Sequence, residues 1–177
     1  MDNLVVIDNV ISKGYQDLVE RILTGTDFPW FFNKQITNAR RGSPDSATGF
    51  SHMALEQGKV KNQYADILTP ILYEAVDKHK KDQDIREIFR IRLGMFVKNQ
   101  TQIPHIAHTD NESFHYVMLY YVNDSDGSTN IFSDNEIVEK IEPKKGRALI
   151  FAGDIYHSSS SPKDHDTRVV VNYNFLL

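Results

Sequence analysis

From Glu87 onward the chain keeps a period of two, and this constrains its fold more than any other feature. Over Glu87–Val97, Ile88, Arg90, Arg92, Gly94 and Phe96 alternate with Phe89, Ile91, Leu93 and Met95, which places the two sets on opposite faces of a strand. Residues 114–122, 130–132, 137–141, 147–151 and 168–176 also read as strands, separated by polar turns at 123–129, 143–146 and 158–166. Many short strands with regular turn signals predict a sandwich, barrel or jelly roll. The chain has no cysteine, which rules out disulfides, thiolate metal sites and cysteine nucleophiles. Such a fold must rest on an apolar core, and 177 residues at 40% hydrophobic content suffice for one domain spanning 1–177.

The first half reads differently. Leu4–Ile7 is a β-branched run, and so a strand. Ser12 is an N-cap for a helix whose apolar positions 15, 18, 19, 22 and 23 keep helical spacing up to Gly25. Phe28 to Phe32, interrupted by Pro29, reads as aromatic packing. Residues 38–61 are polar and turn-rich, the pattern of a lid or binding loop, with His52 a candidate substrate contact. A second helix is expected over 62–80, kinked or broken at Pro70. Helical support over about 1–85 and a β core over about 86–177 is therefore the expected organisation. The net charge of -4 and pI near 5.9 offer no basic stripe for duplex nucleic acid. No basic n-region with an apolar h-region opens the chain, and no run of about 18 apolar residues occurs. The expectation is a cytoplasmic protein without a membrane span.

The chemistry centres on His108-Thr109-Asp110. Two positions apart on a strand, His108 and Asp110 would offer an imidazole nitrogen and a carboxylate oxygen to one point. A second histidine would complete a three-ligand site with open positions, which suits ferrous iron in oxygenases and also catalytic zinc. His157, at the head of a serine run, is the expected partner; His165 sits in a polar loop too close to Arg168 to face an adjacent strand. His105, of opposite strand phase to His108, is assigned to the layer behind the ligands, the pocket rim or a substrate contact, and His115 to a structural role. Arg168 heads an otherwise apolar strand, where burial is costly unless it meets an anion. Asn172 shares its face and is expected to line the same pocket.

The ordered set His108-Thr109-Asp110-Asn111, Leu119-Tyr120-Tyr121-Val122-Asn123, the turn Asp126-Gly127-Ser128-Thr129, the stretch from Pro143 to Phe151, His157 and Arg168 resembles the non-haem Fe(II), 2-oxoglutarate-dependent dioxygenases. The resemblance is to their prolyl-4-hydroxylase-like branch, in the compact form of phages and bacteria. It covers about residues 88–177 and implies an α+β, mainly β fold: a double-stranded β-helix (jelly roll, cupin-like) with N-terminal helices packed on the sheet. It also implies His108, Asp110 and His157 as Fe(II) ligands, and Arg168 with Tyr121 as receivers of the 2-oxoglutarate C5 carboxylate. The implied reaction couples O2 and the decarboxylation of 2-oxoglutarate to succinate with hydroxylation of a C–H bond, in a small-molecule, peptide or protein substrate. A zinc-dependent hydrolase and a non-catalytic jelly-roll binding module are the competing readings; the first leaves Arg168 and Tyr121 without a task, and the complete ligand set with an intact arginine argues against the second.

Overall fold

The computed structural model describes residues 4–34, 48–79, 83–100, 102 and 104–177. In chain order the elements are β1 (Leu4–Ile7), α1 (Lys13–Leu23), β2 (Phe31–Asn33), β3 (Gly49–Glu56), β4 (Lys59–Val60), α2 (Tyr64–His79), β5 (Glu87–Val97), β6 (Tyr116–Tyr121), β7 (Thr129–Ser133), β8 (Glu136–Ile141), β9 (Ala148–Ala152), β10 (His157–Ser159) and β11 (Thr167–Leu176). All strand pairs are antiparallel. The large sheet runs β1-β9-β6-β11-β5-β3-β2, with β4 on β3, and the small one runs β10-β7-β8.

Alternation divides the large sheet into two faces. Ile91, Leu93, Met118, Tyr120, Ile150, Val169, Val171, Tyr173 and Phe175 form one core with the buried stripes of the helices, Val19 and Leu23 of α1 and Leu68, Ile71, Leu72 and Val76 of α2. Val117, Leu119, Tyr121, Leu149, Phe151 and Val170 point the other way and meet Ile131 and Ile141 of the small sheet. Two facing sheets with helices on the outside of one make the expected double-stranded β-helix. The Ser12 hydroxyl caps α1 by accepting from the Tyr15 amide.

Three expectations need correction. Residues 49–60 are not a loop: β3 and β4 form a hairpin inside the large sheet, turning at Gln57 and Gly58, both with positive φ. So the N-terminal part supplies strands as well as helices, while 38–47 lies outside the described residues. Pro70 neither ends nor splits α2. The turn before it is pinned from outside, by the Tyr15 hydroxyl on the Ile67 carbonyl and the Tyr173 hydroxyl on that of Leu68. Finally, His108-Thr109-Asp110 is not on a strand. Only His108 is bridged, to His157, and Asp110 lies in a bend.

Candidate active site

The bridge between His108 and His157 builds the site. The two residues exchange both backbone hydrogen bonds at 3.0 Å, along the free edge of β10. Cross-strand partners project to the same face, and the two imidazoles stand 4.8 Å apart between centroids. Each ring donates Nδ1–H to the carbonyl two residues back, His108 to Ile106 and His157 to Ile155, both at 3.1 Å. A carbonyl can only accept, so Nε2 of each ring carries the free lone pair. Asp110 completes the set, with one ligand atom from each of the three residues lying within 4.8 Å of the others. Burial, partly opposed by Asp110, pushes the His157 pKa down to about 4, so this ring is neutral at pH 7.

Asp110 is drawn to this point from outside its own segment. Arg90 Nη2 lies 2.9 Å from Oδ1, and the amides of Asn172 and Asn174 each donate to Oδ2 at 2.9 Å. Burial pushes the carboxyl up, but Arg90, His157 and the two amides outweigh it and hold it well below the usual carboxylate range. Asn174 faces Arg90 across the β5–β11 register, so neighbouring strands supply the grip.

Beside this triad lies a cavity of about 90 Å³. His108, Asp110 and His157 line it together with Arg92, Asn172, Thr129 and Arg168. Arg168 is 1% exposed, between the rings of Phe96 and Tyr121 at 5.6 and 5.7 Å. Its Nε donates to the Gly127 carbonyl at 2.7 Å and its Nη2 to Thr129 Oγ1 at 2.8 Å. A Cβ on Gly127 would stand 2.5 Å from the Ser160 carbonyl and 3.0 Å from Arg168 Cδ, so glycine is required for this approach. Among the described residues no carboxylate lies within ion-pair distance of Arg168. Its partners among the described residues are neutral.

The sequence-derived candidates divide accordingly. His108, Asp110, His157, Arg168 and Asn172 come together on one cavity. Tyr121 stands behind it, fully buried, its hydroxyl donating to Thr129 Oγ1 at 2.8 Å. It touches both Thr129 and Arg168, which line the cavity. His105 is not among the lining residues; it bonds Ser159 and Ser161 and packs on Phe96. His52 is a core residue, bonded to the Pro29 carbonyl and packed on Phe28 and Tyr64. His165 bonds Asp126 in an exposed loop. Sequence reasoning missed Thr129 and Arg90. For Arg90 a signal existed: two arginines share one face of an otherwise apolar strand.

The fold is that of the 2-oxoglutarate- and Fe(II)-dependent oxygenases, established by structural similarity alone. An oxidoreductase of the 2OG-Fe(II) oxygenase family from Burkholderia pseudomallei superposes with a TM-score of 0.72 at 11% identity, over 98% of this chain and 85% of that one. A Trichoplax adhaerens prolyl hydroxylase, in complex with a hypoxia-inducible-factor peptide fragment, gives 0.65 at 16% identity, over 99% and 84%. The α-ketoglutarate-dependent epimerase SnoN of nogalamycin biosynthesis gives 0.67 at 11%, over 98% and 77%. No family model and no curated protein matches the sequence.

Proposed function

We propose that the protein is an Fe(II)- and 2-oxoglutarate-dependent dioxygenase, acting as a hydroxylase. One observation carries this reading: a three-ligand metal set and a fully buried guanidinium with only neutral partners share one small cavity. Burying a cation without an anion is costly, and a carboxylate-bearing co-substrate removes that cost. The donor set of two imidazole nitrogens and one carboxylate oxygen fits ferrous iron. Bound there, iron with 2-oxoglutarate and O2 supplies the oxidising chemistry.

The chain's own groups do the rest. His108 and His157 present Nε2 lone pairs in fixed tautomers. Arg168 offers a planar fork to the C5 carboxylate of 2-oxoglutarate. Thr129 Oγ1 already accepts from Arg168 and Tyr121, which turns its own proton toward that carboxylate. Phe96, Val170 and Leu119 give the cavity apolar walls that exclude water. Zinc would suit the three ligands equally well but leaves the buried Arg168 without an anion.

The substrate enters by analogy. Similar folds include a prolyl hydroxylase in complex with a peptide and an epimerase. A prolyl residue in a peptide or protein is our first choice, ahead of small metabolites. The test is anaerobic addition of Fe(II) and 2-oxoglutarate. We expect a weak visible charge-transfer band in the wild type, absent in Arg168→Ala, and succinate release under air that prolyl peptides stimulate. A protein giving neither band nor succinate is not this enzyme.

A further inference from the structure

We propose that Arg90 is a positioning residue: with Asn172 and Asn174 it clamps Asp110 so that a metal can take this carboxylate through Oδ1 alone, at a fixed angle. The inference rests on the metal-site reading above and adds a residue that lies outside the ligand set.

A carboxylate offers about four lone-pair sites, two on each oxygen. In this protein the two on Oδ2 are occupied, because Asn172 and Asn174 both donate to that oxygen, while Arg90 Nη2 faces Oδ1 as an ion pair at 2.9 Å. Oδ1, the oxygen 3.8 Å from His108 Nε2, keeps the lone pairs that no amide takes. Donation through both oxygens would require breaking a hydrogen bond to Oδ2. Rotation of the carboxylate about its own axis would require breaking the Arg90 contact. All three clamping groups stand on β5 and β11, whose antiparallel pairing runs unbroken from Thr167 and Val97 to Asn174 and Arg90 and shifts register only after Asn174, so the clamp has little freedom of its own. A second cavity of about 250 Å³, lined by Glu56, Phe89 and Asn111, also reaches Asp110, with Arg90 and Asn174 in its wall beside the carboxylate.

The rival role for Arg90 is a structural ion pair that only neutralises a buried carboxylate. Co(II) loading without co-substrate or turnover separates the two. In Arg90→Met we expect the visible Co(II) bands to shift and weaken as the second oxygen enters the coordination sphere, and in Arg90→Lys, which retains one N–H for Oδ1, to return toward the wild type. Arg168→Met removes a cation from the same cavity without touching Asp110 and should leave the bands in place. Should Arg90→Met fail to fold, the Asn172→Ala/Asn174→Ala double variant opens the clamp from its other side and should shift the bands likewise. Unchanged bands in a Co(II)-loaded Arg90→Met or in the double variant would overturn the proposal. A wild type that takes up no Co(II) would instead remove the metal site itself.

Discussion

Arg90 on β5 and Arg168 on β11 stand on the same face of the same sheet, yet the protein treats their charges in opposite ways. Arg90 meets the Asp110 carboxylate at 2.9 Å. Arg168, the more deeply buried of the two, meets a carbonyl and a hydroxyl. The Arg90 pair is settled within the folded chain. The Arg168 charge has no carboxylate partner among the described residues. On the proposed function, the difference separates a cation paired inside the chain from one that would receive an anion, although both would pass as buried arginines on a strand.

Stability should expose the contrast most strongly. In the metal-free protein, Arg90→Met strands a carboxylate that is largely enclosed, with side-chain exposure of 6%. Breaking a buried pair from one side costs on the order of 3 kcal/mol. Arg168→Met replaces a buried cation lacking an anion by an apolar group of similar length, and should be neutral or stabilising by about 1–2 kcal/mol. Urea unfolding of both variants checks this. Equal losses would break the distinction, because Arg168 would then be a structural residue too.

Acid should act at the metal end first. His157, depressed from 6.5 to about 4 by burial, binds its proton more readily in the unfolded chain. Its contribution to stability is complete above pH 6.5 and is lost as pH falls from 6.5 toward 4, up to roughly 3 kcal/mol. Asp110 has the same sign at lower pH, since its depressed carboxyl is protonated more easily after unfolding. Unfolding free energy of the metal-free protein, measured between pH 7.5 and 4.5, should fall steadily. His157→Gln should flatten that slope, and an unaltered slope would show that another group carries it.

How much of this could be read from the chain follows from what strand phase can and cannot specify. Alternation over Glu87–Val97 placed Arg90 and Arg92 on one face, and the order His108, Asp110, His157, Arg168 selected the residues that converge. Phase alone does not name partners. Arg90 meets Asp110 because an irregular bend carries the carboxylate across to β5 and β11, and no local pattern encodes that bend. β3 escaped notice because Gly49, Ser51 and His52 dilute its apolar signal and a register shift between Met53 and Leu55 breaks its period. β10 was hidden in a serine run that reads as loop. Ser158 of β10 and Ser160 just beyond it are buried and accept from Asn130 of β7, a pairing set by tertiary contact.

The finest discrimination lies inside the receptor. Tyr121 is expected to contact the co-substrate; in the structure its hydroxyl donates to Thr129 and also interacts with Arg168. Thr129 is therefore the relay: it accepts from Tyr121 and Arg168 and has one proton left to give. Thr129→Val keeps the shape and removes that proton together with both acceptor contacts. It should weaken 2-oxoglutarate binding about tenfold, near 1.4 kcal/mol, with Co(II) affinity unaltered, since no metal ligand is touched. Tyr121→Phe removes only the group behind Thr129 and should cost less, within about threefold. Titrating 2-oxoglutarate into the Co(II)-loaded variants measures both. If Tyr121→Phe proves the more damaging of the two, the tyrosine contacts the co-substrate directly, and the carboxylate lies between Arg168 and Tyr121.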